Sequence, residues 1–268
     1  MSLLACRKGL VKMRVSSIQL EIKQRPKVKT LEYLLNLIEQ GRGSDLILLP
    51  EIWSIGYFSF SRYKSESETQ DGLTVEALRQ KAAELKSHIF TGSFIEREGE
   101  HLFNTTLLLN PEGNIIAKYR KIHLFGYHSE EKRLLQQGQE VVTAQTPWGR
   151  AGLSTCYDLR FPEFYRRMVD QGAGFFLVAS AWPMARLDAW VLFNRARAHE
   201  NLAYLFSCNC AGANEGHQFA GHSMFVDPMG KVVCEAGEEE EIITGEVNMS
   251  MVQKVRSDFS ALEDRVFI

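Results

Sequence analysis

The sequence predicts one α/β domain built on mixed β-sheets, and three observations lead there. Short apolar runs of strand length alternate with stretches at helical spacing along the 268 residues, which implies helices packed on the outer faces of sheets. Two pairs of apolar runs are joined by Asn/Asp-Pro-x-Gly turns, which adds antiparallel hairpins to the sheets. No low-complexity linker divides the chain, and its length is enough to bury a sizeable core without staples.

The elements follow in order. Residues 1–12 read as an N-terminal extension, so the domain is expected to run from 13 to 268. Val15, Ile18 and Leu20 fit a first short strand. Val28, Leu31, Leu34, Leu35 and Ile38 fall at helical spacing, and Gly41 with Gly43 supplies a stop. The run 45–50 reads as a buried strand, and Leu78, Ala82 and Leu85 mark a second helix before a strand over 89–94. Residues 107–119 and 224–236 repeat one pattern, an apolar run, an Asn/Asp-Pro-x-Gly turn and a second apolar run, and each reads as a hairpin. Two copies suggest halves of similar design, although common turn chemistry accounts for them equally well. Buried strands are expected over 151–155, 174–180 and 203–208, with helices starting near Pro162 and spanning 187–201, and a late strand over 242–247.

Composition narrows the function. Apolar residues make up 45% and charged residues 24%, the balance of an ordinary globular protein rather than a disordered or fibrous one. Lysine plus arginine number 31 against 33 aspartates and glutamates, so no basic surplus exists to neutralise phosphates, and no nucleic-acid partner is expected. No apolar run approaches the ~20 residues of a membrane span, and the short apolar stretch 3–6 precedes its basic neighbours Arg7 and Lys8, the reverse of a signal peptide. Five cysteines, an odd number in a long chain, suit reduced thiols and a cytoplasmic address. Cys208 and Cys210 lack the two-residue spacing of a zinc or redox pair, so no metal is expected there despite the nearby His217 and His222.

Three segments share one design, in which an apolar strand runs directly into a reactive residue: 46–50 into Glu51, 115–120 into Lys121 and 151–155 into Cys156. Rigid strand ends place ligand-binding and catalytic groups. Taken singly, Glu51 after a proline suits a helix start, Lys121 suits surface charge, and Cys156 suits an inert core thiol. Together they form a nucleophilic set. A thiol needs a base or a positive neighbour to become a thiolate. A carboxylate can take its proton and later activate water. An ammonium can hold the oxyanion formed when sulfur attacks a carbonyl or nitrile carbon, and the product is a thioester that water hydrolyses.

The segments Leu49-Pro-Glu51-Ile-Trp53, Tyr119-Arg-Lys121-Ile-His-Leu-Phe125 and Ser154-Thr-Cys156-Tyr-Asp-Leu-Arg-Phe-Pro-Glu163 resemble, in order and spacing, the three signatures of the nitrilase superfamily, the carbon–nitrogen hydrolases. The resemblance covers nearly the whole chain. It implies a four-layer α-β-β-α sandwich that pairs across a homodimer through the helices after Pro162 and over 187–201. It also implies Glu51 as general base, Lys121 as oxyanion stabiliser, Cys156 as nucleophile and the backbone N–H of Tyr157 as second oxyanion donor. Members keep a second glutamate that contacts the lysine. Counting back from Gly138 selects Glu131 and counting forward from Phe125 selects Glu130; Glu131 is the choice taken.

The residues after the cysteine, with 179–190 and 219–223, are similar to the omega-amidase branch, which cleaves small 2-oxo acid amides such as 2-oxoglutaramate. That likeness implies Tyr57 lining a small pocket, with Trp182 and Arg186 near its mouth and Arg186 available to a substrate carboxylate. His123 invites a Cys–His dyad, but a hydrogen-bonded structural histidine is the expectation. Arg195, Arg197 and Glu200 read as structural ion pairs. No phosphate loop or nucleophile elbow of the Gly-x-Ser-x-Gly type occurs, so no cofactor is expected and a small-molecule amide is the expected partner. The competing expectations are a hydrolase for carbamoyl amino acids or other short amides, and a non-catalytic scaffold of the same fold.

Overall fold

The structure, a computed structural model, describes residues 11–266. Strand β1 (Lys12–Gln19) is followed by the two-residue β2 (Glu21–Ile22). Helix α1 (Lys27–Gln40) begins after Pro26, buries Leu31, Leu34, Leu37 and Ile38 on one face, and stops at Gly41. Val28 keeps the same spacing yet stays exposed, since it lies in the first turn beyond the reach of the sheet. Next come β3 (Leu46–Leu48), the single turn α2 (Tyr63–Glu66) and α3 (Leu73–Leu85), which closes on Lys86 at φ +54°. Strands β4 (His88–Glu98), β5 (His101–Leu109) and β6 (Ile115–Arg120) form a meander, and α4 (Glu131–Leu134) follows.

The second half holds β7 (Thr143–Thr146), β8 (Gly149–Thr155), α5 (Pro162–Asp170), β9 (Ala173–Ala179), α6 (Leu187–Glu200) and β10 (Tyr204–Cys208). Proline at the first position of α5 fits because its missing N–H would have no helical partner there. The chain closes with β11 (Ala211–Asn214), β12 (His217–Gln218), β13 (Met224–Val226), β14 (Val232–Glu235), β15 (Glu241–Asn248) and α7 (Ser250–Asp258).

Two six-stranded mixed sheets result, ordered β15-β1-β3-β4-β5-β6 and β14-β13-β10-β9-β8-β7, with a small third sheet β12-β11-β2 beside them. Each large sheet has a parallel centre, β1/β3/β4 in one and β8/β9/β10 in the other, with antiparallel strands outside. Alternation along β3 shows the layering. Leu46 and Leu48 join a core shared with β8, β9 and β10, whereas Ile47 and Leu49 join the core under α1 and α3. Helices α5 and α6 cover the outer face of the second sheet through Phe164, Tyr165, Met168 and Trp190. This is the α-β-β-α sandwich the motifs imply. Among the described residues, no helix is long and apolar enough to cross a membrane.

The two hairpins repeat down to their hydrogen bonds. Asn110 Oδ1 accepts from the N–H groups of Glu112 and Asn114, and Asp227 Oδ1 accepts from those of Met229 and Lys231. Both turns sit at the edge of a large sheet, so the halves do share a design.

Several expectations change. Residues 1–10 lie outside the described residues, but Lys12 already belongs to β1, paired with Asn248, so the supposed extension ends earlier than 12. Arg197 does pair with Glu200 at 2.7 Å, yet Arg195 donates to the Gly230 carbonyl instead of to a carboxylate. The short strands β2, β11 and β12 have too little apolar periodicity to be read from sequence, and helix α7 goes unread although Met251, Val252 and Val255 fall at helical spacing.

Candidate active site

Glu51, Lys121 and Cys156 meet where strands of the two large sheets end. Glu51 follows β3 in the first sheet, and its N–H reaches the Ser180 carbonyl just beyond β9 in the second, at 3.2 Å. The approach of β4 to this segment requires glycine at Gly92, where φ is +65° and a Cβ would sit 2.0 Å from the Pro50 carbonyl oxygen. Lys121 follows β6, and Gly138 donates to its carbonyl. A Cβ on Gly138 would meet the Arg120 carbonyl oxygen at 2.0 Å.

Cys156 follows β8 at φ +47°, a left-handed conformation that a non-glycine residue adopts only when its surroundings hold it there. The turn is fixed on both sides. Thr155 and Asp158 form a reciprocal capping box, in which Thr155 N donates to Asp158 Oδ2 at 2.8 Å.

The charged groups are wholly buried and mutually satisfied. Lys121 Nζ donates to Glu51 Oε1 at 2.8 Å and to both oxygens of Glu131, at 2.9 and 3.0 Å. Of the two candidate glutamates, Glu131 is therefore the one beside the lysine, and Glu130 pairs with Arg133 on the surface. Asn104, in the middle of β5, donates Nδ2 to Glu51 Oε1 at 2.8 Å and to Glu131 Oε1 at 2.9 Å. Phe125 N–H and the Tyr57 hydroxyl donate to Glu131 Oε2. The remaining Glu51 oxygen, Oε2, accepts from Ala181 N–H at 2.9 Å and keeps acceptor capacity for a thiol proton.

Burial sets the proton affinities. It raises Glu51 above the usual carboxylate range, with Lys121 opposing and Glu131 adding to the shift. Burial opposes the Lys121 charge, but Glu131 and Glu51 outweigh it and hold the ammonium well above its usual value. Burial, reinforced by Glu51, pushes the Cys156 thiol up, while Lys121 pulls it back. The resting group is thus a neutral thiol beside a carboxylate.

A cavity of about 360 Å³ opens over Cys156. Tyr57, Tyr157, Trp182 and Arg186 all line it, as their motifs imply, and so do Phe58, Arg160, His128 and His217. The Tyr57 hydroxyl is spent on Glu131 and Ser129, so this residue offers substrate its ring. The Arg186 guanidinium lies 5.2 Å from the Phe125 ring centre and 5.3 Å from that of Tyr127. Arg160 lies 5.2 Å from the Trp182 ring. Both arginines are therefore held on aromatic faces beside the cavity.

His123 stacks on Phe161 at 3.7 Å and bonds Asp158 through Nδ1 at 2.7 Å, which is the structural role expected of it.

Sequence reasoning missed Asn104, Asp158, Arg160 and the Ala181 N–H. Asn104 is polar on an otherwise buried strand, which is the one signal it offers. The backbone donor at 181 offers none.

Stacked mixed sheets with outer helices, and a buried thiol, ammonium and carboxylate pair at their strand ends, define a four-layer enzyme of the nitrilase type. The chain belongs to the carbon–nitrogen hydrolase family, whose sequence profile matches residues 14–257. A 2-oxoglutaramate amidase of Paenarthrobacter nicotinovorans is 36% identical over 230 residues, covering 83% of this chain and 78% of its own. Omega-amidase NIT3 of Saccharomyces cerevisiae is 30% identical over 96% of this chain and 94% of its own. The crystal structure of Saccharomyces cerevisiae Nit3, a member of branch 10 of the nitrilase superfamily, superposes with a TM-score of 0.89 over 96% of this chain and 97% of that one. An amidase variant from Nesterenkonia sp. AN1, 25% identical, carries the acetamide moiety of fluoroacetamide added at its active-site cysteine. It covers 99% of this chain and 97% of its own, with a TM-score of 0.84. This chain is an omega-amidase-type carbon–nitrogen hydrolase.

Proposed function

We propose that the protein hydrolyses the terminal amide of a short 2-oxo dicarboxylic acid, such as 2-oxoglutaramate, through a thioester on Cys156. The observation that carries this reading is the pairing of Glu51 with Lys121 at 2.8 Å beside a small cavity lined by Cys156, Arg160 and Arg186.

Glu51 takes the Cys156 proton as sulfur attacks the amide carbon. The oxyanion is held by Lys121 Nζ and the N–H of Tyr157, and Glu131 keeps the lysine charged and in place. Collapse breaks the carbon–nitrogen bond, and Glu51 returns the proton to the departing nitrogen, which leaves as ammonia. Water then loses a proton to Glu51, adds to the thioester and releases the acid, restoring the thiol.

The cavity supports the substrate class. Its lining contains Arg160, Arg186, His128 and His217 and no carboxylate. A guanidinium gives a charge-assisted, two-pronged match to a carboxylate. The rings of Tyr57, Phe58 and Trp182 limit the length of the acyl chain. The catalytic unit is read as one domain that begins with β1 at Lys12, acting as a homodimer in a reducing cytoplasm. Four unpaired cysteines among the described residues support that compartment.

The test is ammonia release from 2-oxoglutaramate, 2-oxosuccinamate, N-carbamoyl amino acids, nitriles and bulky aromatic amides in parallel. Turnover of the 2-oxo amides well ahead of the rest is expected, with hydroxylamine intercepting the acyl group as a hydroxamate. Cys156→Ala should abolish both. Normal turnover by that variant would sink the mechanism, and a tenfold preference for a ureido acid or nitrile would overturn the substrate assignment alone.

A further inference from the structure

We infer that Asp158 is a positioning residue for catalysis: one buried carboxylate ties the turn bearing Cys156 to both flanks of Lys121. This rests on the roles proposed for Cys156 and Lys121, and it adds a residue to neither step.

Asp158 is two residues beyond Cys156 and wholly buried. Its Oδ2 accepts from Thr155 N at 2.8 Å and from the Tyr119 hydroxyl at 2.6 Å. Its Oδ1 accepts from His123 N at 3.2 Å and from the His123 ring at Nδ1, 2.7 Å away. Tyr119 and His123 stand two residues before and two after Lys121. The residue next to Cys156 and the two flanks of Lys121 therefore share one acceptor.

Chemistry explains why a carboxylate suits the place. Four donors converge on it, and an ionised carboxylate accepts at both oxygens while donating nothing. An amide of the same shape would turn an N–H₂ toward two N–H or O–H donors and break one side of the tie. The bond to Thr155 N also helps hold Cys156 at φ +47°, which aims the thiol at Glu51. Loosening that turn moves the sulfur relative to Lys121 without removing any group that touches substrate. Small misplacements of this kind can cost about 10²-fold in rate.

The pattern should be one of kcat loss with KM retained. Asp158→Asn is expected to lower kcat about 10²-fold per active site, with KM within threefold, sites being counted by the Cys156 that iodoacetamide labels and that saturating substrate protects. Tyr119→Phe removes the donor to Oδ2, and His123→Gln replaces the rigid ring contact to Oδ1 with a flexible amide; each should lower kcat, more together than either alone. A role in folding alone would lower the melting temperature and the number of active sites but leave kcat per site unchanged. Asp158→Asn with kcat per site within twofold of the parent would overturn the proposal. If that variant does not fold, the Tyr119→Phe/His123→Gln pair decides, and unchanged kcat per site there would overturn it equally. Cys156→Ala, run alongside, reports separately on the thioester mechanism.

Discussion

The Lys121 ammonium lies 2.8 Å from Glu51 Oε1, and both side chains are fully inaccessible to solvent. A buried pair of this kind is weak support for stability, since desolvation offsets much of the attraction. Its value is functional: it keeps a cation and a base side by side under a neutral thiol. Lys121→Met should lower kcat by roughly 10²–10³-fold, the usual cost of losing an oxyanion donor. Lys121→Arg should not restore it, because a planar guanidinium cannot reproduce three contacts made by one nitrogen in a closed space. An arginine variant with near-parental kcat would remove Lys121 from the chemistry.

The acid limb of the pH profile should belong to Glu51. Burial raises its proton affinity, and it must lose that proton to act as base, so kcat/KM should rise with pH through a midpoint above the ordinary carboxylate value of 4.5. Lys121 is held well above 10.5 and stays charged throughout that range, so it adds no limb there. Glu131 is one of the charges raising Glu51. Glu131→Gln removes that repulsion and should shift the limb to lower pH while reducing kcat. A limb that stays in place would show that another group is titrating.

The readable and unreadable parts of this molecule differ in how they are encoded. Glu51, Lys121 and Cys156 each follow an apolar run, so strand ends and reactive side chains announce one another along the chain. The hairpins at 110–113 and 227–230 were legible because proline and an Asx side chain fix the turn locally. The place of Tyr57 at the cavity is legible from its motif, but the partner of its hydroxyl is not, since Glu131 lies 74 residues away. Asn104 and the Ala181 N–H were invisible for the same reason. Their roles arise only when β5 and the end of β9 are stacked against the Glu51 turn, and no local pattern encodes that meeting.

Asn104 should matter to both stability and rate. Among the described residues, its amide is the only neutral group donating to Glu51 Oε1 and Glu131 Oε1 at once. Asn104→Ala leaves those buried oxygens short of a donor, at a cost of about 1–3 kcal/mol, and frees the two carboxylates to move. Asn104→Asp puts a third carboxylate beside them and should move the acid limb to higher pH, the opposite direction from Glu131→Gln. Thermal unfolding and the kcat/KM profile of both variants check this. Unchanged unfolding and an unchanged limb would reduce Asn104 to a spectator.

Charge in the cavity makes the sharpest statement about substrate. Arg186 and Arg160 are both pinned on aromatic rings, one on Phe125 and Tyr127 and the other on Trp182 and Phe193, so each guanidinium is held beside the cavity rather than swinging in solvent. Fixing them beforehand reduces the ordering needed when a carboxylate arrives. If either arginine receives it, replacing that arginine should hurt a charged amide and spare its neutral analogue. A charge-assisted hydrogen bond contributes about 1.5–3 kcal/mol, which converts to roughly 10–10²-fold in kcat/KM. Arg160→Met and Arg186→Met should therefore be compared on 2-oxoglutaramate and on a neutral short amide such as butyramide. The arginine that binds the carboxylate should lose about that factor on the first substrate and little on the second. The other should affect both alike, through the aromatic wall it supports. Equal losses on both substrates in both variants would mean that neither arginine reads the charge.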